Sequence, residues 1–129
     1  MKIVAASLAA SLAACGALVF AGVAYAGPPA GDAERGRTVF ARCAACHDAK
    51  TGANRVGPSL KGVVGRRAAN NAGYGYSAAL KNKNVTWTPA TLDAFLTAPT
   101  RFAPGTRMSL PVGNPKDRAD LIAYLATLR

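Results

Sequence analysis

The apolar positions of this chain fall into two regimes. From Ile3 to Ala26 they run together, uncharged and dominated by small side chains, with Lys2 the only charge before Asp32. Beyond Gly31 they occur in short periodic clusters separated by glycine, proline and polar residues. Asp32 is a good helix cap, and Glu34 then faces the positive end of the helix dipole. A first helix is predicted from Asp32 to about Cys43, with Val39 and Phe40 on its apolar face. Gly36 lies inside it at a cost of roughly 1 kcal/mol against alanine, which suits close packing of another backbone. Ser77 caps a short helix to about Lys83, and Val85-Thr86-Trp87 is extended. Thr88-Pro89 opens a helix carrying Leu92, Phe95 and Leu96 and ended by Pro99. Asn114-Pro115, with Asp117 in the first turn, opens the last one, whose stripe is Leu121, Ile122, Leu125 and Leu128. Arg129 favours its negative end.

The predicted fold class is therefore all-α: about four helices joined by long loops, Asp48–Asn71 and Thr100–Gly113 among them, with no convincing strand and no repeat. Loops this long are uncommon in a small domain unless they serve a function. A buried cofactor would give them something to pack on.

Length refines this picture. The 129 residues point to one domain preceded by a segment of different character. Residues 1–26 have the charged start, apolar middle and Ala24-Tyr25-Ala26 ending of a secretory signal peptide. Its removal leaves residues 27–129, which begin with a short Gly/Pro lead-in. Two other readings stay open. Ile3–Ala26 is long enough to span a bilayer if retained. Leu12-Ala13-Ala14-Cys15 also resembles a lipoprotein box with Cys15 acylated, although the residues after Cys15 stay apolar. All three put the domain outside the cytoplasm, and a periplasmic location is expected.

Charge adds a partner class. There are 16 basic and 6 acidic residues, a net charge of +10, and loss of Lys2 leaves +9. Export disfavours nucleic acid, and no basic amphipathic helix offers itself to a membrane surface. Redox proteins with acidic faces fit best.

The chemistry is concentrated in Cys43-Ala44-Ala45-Cys46-His47. Two thiols three residues apart, followed directly by an imidazole, form the attachment pattern of c-type haem. At that spacing both thiols share one face of a helical turn and can bond the vinyl groups along one edge of a porphyrin. A zinc site would need four ligands, but the only other cysteine is Cys15 and His47 is the sole histidine. A redox dithiol would need a strand and βαβ surroundings that are not seen. One covalent haem c is expected, with His47 on the iron. The sixth ligand has one candidate, because Met1 leaves with the signal and Met108 is the only other methionine. His/Met ligation favours ferrous iron and leaves no easy site for substrate. The expectation is a monomeric one-electron carrier rather than an enzyme.

From about Gly31 to Leu128 the chain resembles the class I c-type cytochromes, in their mitochondrial-like branch with its bacterial periplasmic relatives. The resemblance is carried by Cys43–His47, Val56–Leu60, Gly65-Arg66, Gly73–Ser77, Trp87, Pro104–Met108 and Arg118–Leu125. It implies that the first and last helices cross, with Gly36 and Phe40 against Leu121 and Tyr124. It implies that the Pro58 carbonyl accepts a hydrogen bond from His47. It implies that Arg66, Tyr76 and Trp87 hold the inner haem propionate, and that Thr106 stays in the Met-side polar network. Leu80 and Phe95 stand where mitochondrial members place an asparagine and a tyrosine, so that side should be drier. The front-face lysines are thinner, with Thr100, Arg101 and Arg107 in that region. The implied role is shuttling electrons between respiratory or photosynthetic complexes, either free or as an anchored subunit of a larger assembly.

Overall fold

The computed structural model describes residues 30–129. The expected signal segment with its cleavage site, and the alternative acylation at Cys15, lie outside the described residues.

Five helices follow one another: α1 (Ala33–Phe40), α2 (Ala78–Lys81), α3 (Pro89–Thr97), α4 (Pro99–Phe102) and α5 (Pro115–Leu125). The caps are the ones the sequence names. Asp32 accepts from the Glu34 and Arg35 amides at 2.9 and 3.2 Å, Ser77 from Leu80, and Asn114 from Lys116 and Asp117 at 2.8 and 3.1 Å. Thr88 and Thr91 cap one another reciprocally.

The boundaries differ from expectation in four places. α1 ends at Phe40 rather than near Cys43, and the chain then tightens into successive turns through Cys46. α2 stops at Lys81, short of Lys83. Pro99 does not simply end α3. It forces Ala98 to φ −155°, ψ 80° and then occupies the first position of α4, so part of the expected Thr100–Gly113 loop is a helical turn. The count is thus five helices rather than about four. Lastly, α5 ends at Leu125, which puts Leu128 and Arg129 beyond it. Leu128 still packs on the core.

The extended residues 85–87 lie antiparallel to 65–68. Trp87 exchanges backbone bonds with Gly65 and Arg66 at 2.8 Å, and Ala68 donates to Val85 at 2.8 Å. One isolated bridge, Arg67 to Thr86, is all the strand pairing among the described residues. No helix among them is long and apolar enough to cross a membrane.

α5 is the axis of the packing, with α1 on one side and α3 on another. Phe40 meets Tyr124 at 5.4 Å between ring centroids, and Gly36 lies directly against the Asp120 backbone. The implied crossing of the first and last helices is therefore present. Its polar centre was not legible beforehand. The Asp120 side chain is 0% exposed. It accepts from the Asp32 amide at 2.7 Å and Arg35 Nε at 2.9 Å, and pairs with Lys116. The Asp32 amide first, then Lys116 and Arg35, hold its carboxyl down at about 2, against an ordinary 3.8. A depressed folded-state pKa stabilises above the unfolded value and is lost as pH falls through the folded one. Acid unfolding should therefore draw on Asp120 between about pH 4 and pH 2. In Asp120→Asn, which is less stable at neutral pH, the thermal midpoint should fall less steeply across that interval. Parallel slopes in the two proteins would contradict this.

Candidate functional site

After α1, backbone bonding prepares the cysteine turn. The Cys43 amide donates to Phe40 at 2.7 Å, and the Cys43 carbonyl accepts from both Cys46 and His47, at 3.0 and 2.9 Å. The two thiols and the imidazole are thereby closed into one turn. Cys43 is half-buried and Cys46 is exposed. Burial pushes the Cys43 thiol up, with nearby Arg42 partly offsetting it.

The turn opens into a cavity of 530 Å³. That is the size of a cofactor pocket. Its inner wall is apolar, formed by Phe40 of α1, Leu92, Phe95 and Leu96 of α3, and Leu121 and Leu125 of α5. The candidate haem-site residues, whether read from spacing or implied by the resemblance, all line it: Cys43, Cys46, His47, Pro58, Arg66, Tyr76, Trp87, Thr106 and Met108. Leu80 and Phe95 line it as well, so both substituted positions present hydrocarbon.

His47 Nδ1 lies 2.8 Å from the Pro58 carbonyl. A carbonyl only accepts, so Nδ1 carries the proton and Nε2 is left as a free lone pair. Two features seat the ring that were not read from the sequence. Gly57 is buried beneath it, and a Cβ there would come within 2.7 Å of Nδ1 and 2.8 Å of Nε2. Asn54 ties the loop, accepting from the Ser59 amide at 3.2 Å and Asn71 at 2.6 Å and donating to Ala72 at 2.9 Å.

Arg66 lines the cavity and also staples this loop. Nη2 donates to the Ser59 carbonyl at 2.8 Å and Nη1 to the Lys61 carbonyl at 3.0 Å. Guanidinium has five N–H donors, so others remain for a ligand. Burial lowers its pKa and raises that of Tyr76, and each partly offsets the shift of the other. Both line the cavity, and a guanidinium and a protonated phenol can each donate to a negative group there. Trp87 is buried against Phe95 at 5.2 Å and Phe102 at 6.0 Å.

Thr106 Oγ1 is buried in the cavity wall and has no hydrogen-bond partner among the described residues. A buried hydroxyl without a partner is uncommon and costly. An acceptor brought by a ligand, such as a carboxylate, would satisfy it. The site therefore fits a large flat apolar group with acidic arms, fixed at one edge by two thiols.

The cytochrome c family model matches residues 33–129. The chain belongs to the cytochrome c family. It is 47% identical over 104 residues to cytochrome c of Guizotia abyssinica, covering 78% of this chain and 94% of that protein. It is 46% identical over 102 residues to cytochrome c2 of Rhodoblastus acidophilus, covering 78% and 95%. Among solved structures it resembles cytochrome cH from Methylobacterium extorquens, with 46% identity, a TM-score of 0.71, and 75% and 99% of the two chains covered. As a small mono-haem member of the family, the chain binds one covalently attached haem c and carries electrons to and from redox partners.

Proposed function

We propose that this cytochrome is an exported, periplasmic carrier that moves single electrons between respiratory or photosynthetic complexes, docking through a basic face on acidic-faced partners. The observation that carries the site assignment is the gathering of His47, Met108 and both thiols around one apolar cavity. Cys43 and Cys46 would hold the haem by thioether bonds, and His47 and Met108 would supply the ligands to its iron. When bound, the haem supplies an iron centre that takes up and gives back one electron. The Pro58 carbonyl orients His47 and makes Nε2 a stronger donor. Arg66, Tyr76 and Trp87 would receive the inner propionate, whose burial would be costly without them, and Thr106 would keep its buried hydroxyl on the Met108 side. Leu80 and Phe95 keep the Met108 side dry.

Docking has its own support. Val56 is 77% exposed and Leu110 53%, yet both border the cavity. Exposed Arg55, whose side chain donates to the Ala44 carbonyl beside the cysteine turn, and exposed Arg107 lie among them. A small apolar patch rimmed by cations suits brief, electrostatically steered encounters. Export rests on residues 1–26; an uncleaved or acylated N-terminus would make the same domain an attached carrier, and intact mass separates these forms.

The test is a redox-titrated visible spectrum of the exported protein. The ferric form should show a Met–iron charge-transfer band, and Met108→Ala should abolish it and lower the potential. A wild type without the band would refute the ligand assignment. In the same preparation, transfer to an acidic-faced partner should slow as salt rises, and a flat profile would refute the docking mode.

A further inference from the structure

The Met108 segment is held mainly at its ends. From Arg107 to Pro111 no residue makes a backbone–backbone hydrogen bond with any described residue. On the near side, the Thr106 amide donates to the Ala103 carbonyl at 2.9 Å. On the far side, everything converges on Val112, which is buried. Its amide donates to the Leu96 carbonyl of α3 at 2.8 Å. Its carbonyl accepts from Arg118 Nη1 at 2.9 Å, and the same nitrogen lies 3.0 Å from the Gly113 carbonyl.

Arg118 belongs to the first turns of α5, and its side chain is only 10% exposed. Its Nε donates to Asp93 of α3 at 2.8 Å. One guanidinium thus joins α5, α3 and the end of the Met108 segment. An exposed ion pair would add little, but here the cation is buried and two of its bonds run to main-chain carbonyls. Removing it leaves a buried carbonyl unpaired at the point where the segment is anchored. Lysine cannot replace it, because a single ammonium lacks the planar fork that spans all three acceptors.

We infer that Arg118, held by Asp93, is a positioning residue for Met108: it pins the far end of the Met108 segment and so sets how readily the thioether leaves the iron. The inference rests on the assignment of Met108 as axial ligand given above. It requires that loosening the clamp free the methionine before it unfolds the domain.

The test uses the haem-loaded wild type with Arg118→Lys, Asp93→Asn and Val39→Ala. Ferric protein is titrated with imidazole, a competing ligand, while the Met–iron band is followed, and thermal midpoints are measured alongside. In Arg118→Lys the imidazole concentration for half-displacement should fall about tenfold or more, as expected for a lost charged hydrogen bond. Asp93→Asn, at a half-exposed position, should shift it in the same direction by less. Val39→Ala, a core truncation in α1, should lower the thermal midpoint and leave displacement unchanged. If Arg118→Lys and Asp93→Asn also lower only the thermal midpoint, the clamp is structural and the inference fails. It fails equally if all three variants shift displacement in proportion to stability. A wild type that lacks the band would overturn this inference and the Met108 assignment together; a normal band with unmoved displacement overturns this inference alone.

Discussion

Gly36→Ala is expected to cost about 3 kcal/mol or more, the upper end of overpacking penalties. On a domain of this size that lowers the thermal midpoint by roughly 12–24 °C. The added Cβ would penetrate the Asp120 carbonyl oxygen and approach Tyr124 Cβ to 2.8 Å. Neither obstacle can give way cheaply. One is main chain inside α5, and the other is the root of a ring already packed on Phe40. The helices would have to separate, and separation pulls the Asp32 amide and Arg35 away from the Asp120 carboxylate they share. Packing and polar terms are therefore lost together. Gly75→Ala is the matching control. A Cβ there meets nothing within 4 Å, and its φ is not positive, so stability should stay within about 1 kcal/mol. Thermal or denaturant unfolding of the two proteins measures the contrast. Similar midpoints would mean that α1 and α5 do not meet at Gly36.

The crossing also shows where sequence reasoning reached its limit. Gly36 could be suspected because glycine inside a helix needs a reason, but only the resemblance named the helix that comes near. Caps and prolines marked the starts of α2, α3 and α5 because those signals are local. α4 was missed because Pro99 reads equally as a stop and as a first helical position, and one turn carries no periodicity. At the site, Cys43, Cys46 and His47 were legible from spacing, and Met108 by elimination. Pro58, Arg66, Tyr76, Trp87 and Thr106 came only by resemblance, and the folded chain sets them all in one cavity wall. The second task of Arg66, stapling Ser59 and Lys61, involves backbone carbonyls that no motif encodes. The same holds for the grip of Arg118 on Val112. No sequence signal singles out Asp120 as a buried charge, because only the arrival of α1 buries it.

The second large effect is expected at Gly57, where alanine should disable the haem site while leaving the helices in place. His47 lies flat enough on this residue that a Cβ would overlap the ring, entering Cε1 and coming within 2.7 Å of Nδ1. The backbone cannot withdraw. Its amide donates to the Cys46 carbonyl at 2.8 Å, and its carbonyl accepts from Arg55 at 2.9 Å. The imidazole must tilt instead, and tilting breaks the 2.8 Å bond from Nδ1 to the Pro58 carbonyl. That bond fixes the tautomer and the direction of Nε2, and losing such an outer partner typically costs about 10–100-fold in metal affinity or activity. Gly57→Ala should accordingly mature with little haem, and whatever loads should show an altered potential and ferric spectrum. Pro58→Ala separates the two causes. It keeps the main-chain carbonyl that His47 uses and adds nothing under the ring, so haem content should stay near wild type. Haem absorbance per mole of purified protein measures both. Full loading with an unshifted potential in Gly57→Ala would show that the imidazole has room to spare, and the seat described for His47 would then be wrong.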